Sequence, residues 1–299
     1  MTTSPAQSNT PKPFEPQVQL GDTFVALMYH NVYSDRSAHS ELSPSATSYF
    51  VHRTAFDEQL KDLSECGAAA LRWEGLRAFY GFNSPTARPA GIELGRHQVL
   101  LTFDDGWEDA VEVGGPALAQ FEYQAILFVT TDFLGRPFFL NRRQVARVDS
   151  RLFRIGSHAR THRMLSLLSE AEIRAELGDS KKILEDLVGY EVDVLSIPSG
   201  AVDGRVRHVA AECGYRLLFD SEVRVNRRGQ NPLKAGRIAI MEHTTLSSFR
   251  RYVRQRVGRE RLRRTLLHAP KKILGLRQYE AIRRHLLGEK CSQQVTHQS

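Results

Sequence analysis

The sequence predicts an α/β fold whose strands are wound into a single barrel. Three observations carry that expectation. Short apolar, β-rich runs alternate along the chain with segments of helical periodicity, the pattern of strands joined by crossover helices. At 299 residues the chain is long enough to bury one large core. Its 41% hydrophobic and 25% charged content is that of an ordinary globular protein, and no apolar run nears the length that crosses a bilayer.

The opening segment, Met1 to Gln19, is rich in Thr, Ser, Pro and Gln and lacks the basic start and apolar core of an export signal, so it is expected to be a disordered lead. Thr23 to Val32 reads as the first barrel strand, with His30 towards its far end. Asp35 to Phe50 is polar and unpatterned, a loop suited to lie over a site. Thr54 opens a helix with Phe56, Leu60 and Leu63 on one face and Gly67 as its stop. A short helix, Trp73 to Tyr80, runs through Asn83-Ser84-Pro85 towards the central strand, Val99 to Phe103. Its aromatic residues Trp73, Phe79 and Tyr80 suit core packing, with a sugar platform as a second use. Pro116 starts a new helical segment after Gly114-Gly115, and Ala125 to Thr130 is the next strand. Asp132, just beyond it, suits a cap and leaves a substrate contact open. Asn141 opens a short basic helix ahead of the strand Leu152 to Ile155. Ser169 and Glu172 form a capping box for a helix that runs to Val188 and closes at Gly189. The strand Glu191 to Ile197, the helix Arg205 to Cys213 and the strand Tyr215 to Phe219 follow, with Asp220 at the strand end. Arg237 starts the last strand, and His243 comes after it.

Two stretches carry chemistry. In Leu100-Leu101-Thr102-Phe103-Asp104-Asp105-Gly106-Trp107 an apolar strand stops at two adjacent carboxylates. Successive strand positions point to opposite faces, so the two aspartates share a site only if the strand has ended before them. Different surroundings would let one hold a metal while the other stays free as a base. The same tripeptide also suits a turn that caps the next helix. In Gly156-Ser157-His158-Ala159-Arg160-Thr161-His162 two histidines four apart lie on one helical face or span one tight turn, a spacing that lets two imidazoles share a small cation. A turn-capping His158 and a solvated His162 are the alternative. Joined to a carboxylate from another strand end, the pair supplies three ligands and an open fourth position, as catalytic zinc sites do.

The order T-F-D-D-G, then G-S-H-A-R-T-H, then Ile197-Pro198-Ser199-Gly200 resembles the polysaccharide deacetylase family, carbohydrate esterase family 4, over roughly Phe24 to Ile240. The resemblance implies a distorted (β/α) barrel that hydrolyses an N-acetyl group from an amino sugar. It further implies a divalent metal on Asp105, His158 and His162, zinc being the ion expected, with Asp104 as general base. A branch of the family with a similar M-Y-H first strand uses that histidine as general acid, which falls here on His30; His243 is the rival. In the family the residue after the Pro donates its backbone N–H to the oxyanion, a role that Ser199 can fill. The chain departs from the family pattern at Ser196 and Ser199, where Arg or a related residue and Tyr are usual. Arg237 is the candidate to replace the missing partner of Asp104, and a solvated strand residue is the other reading. The alternatives to an N-deacetylase are an O-acetyl esterase or non-sugar amidohydrolase on the same site, and a non-catalytic barrel that binds a glycan or a partner.

Net charge is +7, yet between Arg250 and Lys290 fourteen Lys and Arg face three Glu, so the basic character belongs to the tail. The expected division is a lead at 1–19, a barrel at 20–245, a basic amphipathic helical extension at 246–290 and a disordered tail at 291–299. Phe249, Tyr252, Val253 and Val257 form one apolar stripe, and residues from Ile273 to Leu287 a second. Such an extension can contact an anionic membrane peripherally or coat the barrel. No nucleic-acid motif accompanies the charge, and none is expected as partner. The odd trio Cys66, Cys213 and Cys291 fits a reducing compartment, and the expected location is the cytoplasm, possible contact with the inner membrane face included. That location points to an N-acetylated glycan or a lipid- or nucleotide-linked sugar used in exopolysaccharide or envelope assembly.

Overall fold

A computed structural model describes residues 21–82 and 97–265. The expected lead at 1–19, the Asn83-Ser84-Pro85 loop, the apolar stripe from Ile273 to Leu287, Cys291 and the tail at 291–299 lie outside the described residues.

The strands in chain order are β1 (Thr23–Tyr29), β2 (Asn31–Tyr33), β3 (Phe50–His52), β4 (Ala68–Ala70), β5 (His97–Phe103), β6 (Ala125–Val129), β7 (Phe153–Ser157), β8 (Val194–Ser196), β9 (Leu217–Phe219), β10 (Asn226–Arg227) and β11 (Ile238–Ala239). The main sheet runs β10-β1-β5-β6-β7-β8-β9, with β4 added on β5 and β11 on β1. Every pairing in it is parallel except β10 with β1. The sheet curls into a barrel whose last gap is spanned by one short segment. Ala235 bridges to Phe219 on one side, and Ile238–Ala239 pair with Leu27–Met28 on the other. A link this short distorts the barrel, and it carries Arg237 between the sheet's two ends.

Alternation decides which side chains face inwards. Phe24 and Ala26, Leu100, Ile126 and Phe128, Val194 and Phe219 form one buried cluster inside the barrel. The helix Trp73–Phe79 closes one end of it, where Trp73 is 7% and Phe79 2% exposed. Those aromatic residues are core. The odd-numbered partners Val25, Leu27 and Tyr29, with Leu101, Phe103, Leu127 and Ile155, point outwards under the helices. Gly156 lies inside, where an added Cβ would come within 2.6 Å of the Phe128 ring, so packing leaves no room for a side chain.

Local signals explain the helix bounds. Helix Glu170–Val188 carries the capping box of Ser169 and Glu172 and ends at Gly189 with φ 71°. Asn141 and Gln144 form a second capping box on Arg142–Arg147. The first strand is shorter than its apolar run predicts. It breaks at His30, and Asn31–Tyr33 leave to pair with Phe50–His52 in a separate two-stranded sheet. The stretch from Asp35 to Phe50 is likewise no plain loop; it holds a 3-10 turn at Ser37–His39 and a helical turn at Pro44–Thr47.

Helix Leu246–Val253, expected to open a separate extension, packs into the main core. Phe249 and Val253 are 0% exposed and Tyr252 is 7% exposed. That stripe covers the barrel and has no apolar face left for a membrane. Among the described residues no helix is long and apolar enough to cross a bilayer.

Candidate active site

Inward alternation delivers the site. His30 follows Met28, Asp104 follows Thr102, His158 follows Gly156, and Ser196 closes the short β8, all at the carboxyl ends of parallel strands, where barrel folds assemble their chemistry. Asp105 is next to Asp104 and would face away if the strand continued. Instead its φ of 76° is left-handed and turns it back over the mouth. The strand has ended, so both aspartates serve one site.

Asp104 is 2% exposed and grips Arg237, itself 1% exposed. Arg237 donates from Nη1 to Oδ1 at 2.6 Å and from Nη2 to Oδ2 at 2.7 Å. Its Nη2 also donates to Ser196 Oγ at 2.7 Å, and Ser196 Oγ donates to Asp104 Oδ2 at 3.2 Å. The guanidinium lies over the Phe128 and Phe219 rings and donates further to Thr102 Oγ1. Burial pushes the Asp104 carboxyl up, but the adjacent Arg237 and His158 outweigh it and hold the group well below the usual carboxylate range. Asp104 is therefore a fixed anion.

Asp105 Oδ1 lies 3.4 Å from Nε2 of His158 and 3.4 Å from Nε2 of His162. Trp107 Nε1 donates to the other oxygen, Oδ2, at 3.1 Å, which commits that side of the carboxylate. Oδ1 is buried with no hydrogen-bond partner among the described residues. His158 donates from Nδ1 to the Ser196 carbonyl at 2.8 Å, so its Nε2 bears the lone pair that faces Asp105. Burial, opposed by Asp104, pushes the His158 imidazole down to about 4, leaving it neutral.

These residues fit a divalent metal. Donors held tetrahedrally at roughly 2.0–2.1 Å from an ion lie about 3.3 Å apart. The two carboxylate-to-imidazole separations are 3.4 Å, and all three ligand atoms lie within 4.8 Å of one another. An unpartnered buried carboxylate oxygen and a neutral imidazole, both aimed at one point, leave a cation as the natural occupant.

The histidines occupy a tight turn after β7, not a helix, and Ala159 and His162 have left-handed φ of 60° and 64°. Glu176, 5% exposed on helix Glu170–Val188, clamps that turn by accepting from the backbone N–H groups of Arg160 at 3.1 Å and Thr161 at 2.8 Å.

A family model described as "Polysaccharide deacetylase" matches residues 91–218, the span that holds both motifs. The chain is 24% identical over 233 residues to YxkH of Bacillus subtilis, a protein named for that family, covering 76% of this chain and 75% of the relative. Over residues 91–218 the chain therefore matches the polysaccharide deacetylase family. Its fold is shared with the Streptococcus pyogenes deacetylase PplD, solved in complex with acetate, at TM-score 0.65 and 22% identity over 77% of this chain and 98% of that one. The de-N-acetylase of Aggregatibacter actinomycetemcomitans matches at TM-score 0.64 and 19% identity over 77% of this chain and 100% of that one.

Within this deacetylase-type barrel the other expected residues fall as follows. His30 packs against the Tyr49 ring at 4.6 Å between centroids, and its Nδ1 is buried without a partner among the described residues. Burial pushes its imidazole down, against the pull of Asp105 and Asp104. Ser199 is an exposed residue with φ 57° in the turn Pro198–Gly200 beside β8. His243 is exposed and lines a separate cleft. Asp132 pairs with Arg160 at 3.3 Å. Asp220, 1% exposed, accepts from Arg207 and Arg224, and its carbonyl accepts from Arg237. Sequence reasoning missed the parts played by Ser196, Trp107 and Glu176. Only Glu176 had left a signal: it stands on the apolar stripe of its helix with Ile173, Leu177 and Leu184.

Proposed function

We propose that the protein is a metal-dependent hydrolase that removes an N-acetyl group from an amino-sugar-containing glycan or glycan precursor. The observation that supports this most directly is the convergence of Asp105, His158 and His162 beside an Asp104 pinned by Arg237. Asp105, His158 and His162 hold the divalent ion, zinc by the donor set of two imidazoles and a carboxylate. When bound, that ion polarises the acetyl carbonyl and lowers the pKa of a water.

Asp104 accepts the proton from the attacking water. The pairing with Arg237 keeps it ionised and oriented, so it is ready as a base without first losing a proton. The backbone N–H of Ser199, at the mouth turn, stabilises the oxyanion. His30 gives a proton to the leaving amine; its Nδ1 is buried without a partner among the described residues, and the two aspartates oppose the burial that pushes its imidazole down. The products are acetate and a free amine. An O-acetyl ester would pass through the same steps with an alcohol leaving. A substrate from exopolysaccharide or envelope assembly is the class we favour, and removal of an N-acetyl group is in keeping with the de-N-acetylase of matching fold.

The test is acetate release by metal-loaded protein from N-acetylated oligosaccharides, with O-acetylated sugars alongside and Asp104→Asn as control. Turnover by the parent chain that falls by about 10²-fold or more in the variant is expected. Equal turnover in the two proteins would remove Asp104 from the mechanism.

A further inference from the structure

A second cleft, of about 260 Å³, opens between the peptide after β11 and the helices at the carboxyl end of the described chain. Four arginines line it, Arg251, Arg256, Arg259 and Arg263, together with His243, and Glu260 is the only carboxylate among the described residues of its lining. That carboxylate is already committed: Arg263 lies at 3.3 Å, Arg264 at 3.7 Å, and the Tyr252 hydroxyl donates to it at 3.1 Å. Arg251 donates to the Ser247 carbonyl and to Ser248 Oγ. Arg256 and Arg259 are exposed and have no side-chain partner among the described residues. The cleft therefore holds several like charges around a concave space with too little acid to balance them, a cost that an anion of more than one charge would offset.

One wall of the cleft starts at the acetyl-site end of the barrel. Ile240 donates to the Met28 carbonyl beside β1, and Glu242 N–H donates to the Ser48 carbonyl at 3.0 Å, one residue from the Tyr49 ring that packs on His30. Met241, His243 and Thr244, which follow on the same peptide, form the cleft wall. The cleft thus starts at the Asp105 end of the barrel and extends down its outside to Arg256, whose neighbour Gln255 bonds Thr23 at the other end of β1.

We propose that this cleft binds a phosphoryl anion, a phosphate or diphosphate ester carried by the acetylated substrate itself. A surplus of about three positive charges is matched better by a diphosphate than by a single carboxylate, and guanidinium forks pair with phosphoryl oxygens two at a time. The assignment of that anion to the substrate rests on the deacetylase reading above; the binding of a phosphoryl anion does not.

Isothermal titration of the full chain with inorganic pyrophosphate, malonate and UDP-N-acetylglucosamine tests it, against Arg256→Gln/Arg259→Gln. Pyrophosphate is expected to bind at least tenfold more tightly than malonate, to lose tenfold or more in the double variant, and to be displaced by the nucleotide sugar. The ratio of KM for a neutral N-acetylated oligosaccharide to that for its phosphorylated counterpart is expected to fall with it. Equal pyrophosphate affinity in the two proteins would overturn the site. So would sedimentation with phosphatidate vesicles that is lost in the variant while soluble phosphates fail to bind, which would make the cleft a membrane contact. Intact pyrophosphate binding without acetate release from any sugar would sink the deacetylase reading and leave the anion site standing.

Discussion

Arg237→Gln tests the centre of the site. The substitution removes a guanidinium that donates twice to Asp104 and once to Ser196, and leaves a carboxylate 2% exposed with Ser196 Oγ as its remaining donor. Breaking a buried ion pair from one side costs about 3–5 kcal/mol, since the surviving charge has lost its partner. For a chain of this size that is a fall of roughly 10 °C in melting temperature. Acid unfolding carries the sign. The folded Asp104 value lies below the ordinary unfolded one of about 3.9, so its stabilisation is complete above that pH and is lost as pH falls through the lower folded value. Without Arg237 burial is opposed mainly by His158, the carboxyl rises, and the acid limb of the stability curve moves to higher pH. Acetate release at neutral pH should fall by about 10²-fold and recover in part as pH is raised. The added change Asp104→Asn, which removes the stranded charge, should restore part of the stability of Arg237→Gln. Urea unfolding of the parent and both variants between pH 3 and pH 8 measures the stability changes, and acetate release over the same range measures the activity. A loss under about 1 kcal/mol with an unmoved acid limb would refute the idea that the pair holds Asp104 ionised.

Three further outcomes are expected. Chelation should abolish acetate release and divalent zinc restore it, and His158→Ala should resist restoration more than His162→Ala, because His158 is buried and fixed by Ser196 whereas the His162 side chain is 32% exposed; zinc titration followed by activity reads the difference. Glu176→Gln should weaken the clamp on the 160–161 peptides by about 1.5–3 kcal/mol and lower metal affinity without touching Asp104, measured by unfolding and by metal titration. Phe249→Ala should cost about 3–5 kcal/mol in urea unfolding if the helix Leu246–Val253 belongs to the barrel core, and almost nothing if it is an appended extension.

The apolar runs, the capping box at Ser169 and the stop at Gly189 were legible because each rests on near neighbours in the chain. So was the pairing of two aspartates with two histidines, through their motifs. What sequence left open was any feature made by barrel closure. Arg237 could be named as a partner for Asp104, but a two-residue strand has no alternation to say which face its neighbour takes. The shelter that makes the pair strong comes from Phe128 and Phe219, on strands more than a hundred residues away from Asp104 in one case and close to it in the other. The start of the tail left two readings open for a related reason. An amphipathic stripe reports that a helix has something to cover, and the stripe of Phe249, Tyr252 and Val253 covers the barrel.

Backbone conformation at the site was the least legible part, and it bears on how the site is built. Left-handed φ is unfavourable for residues with a Cβ, by about 1–2 kcal/mol each, yet Asp105, Ala159, His162 and Ser199 all adopt it around one mouth. No intrinsic preference of Asp, Ala, His or Ser requires this arrangement, so contacts with other side chains and peptides must impose it. They are visible: Trp107 holds Asp105, Glu176 holds the peptides between the two histidines, and the Ser196 carbonyl fixes the His158 ring. None of the three is a metal ligand, and each acts through the protein alone. The three side chains are therefore brought together by contacts of the fold itself, and the strain at Asp105 and His162 is the cost of aiming a buried carboxylate and two imidazoles at one point.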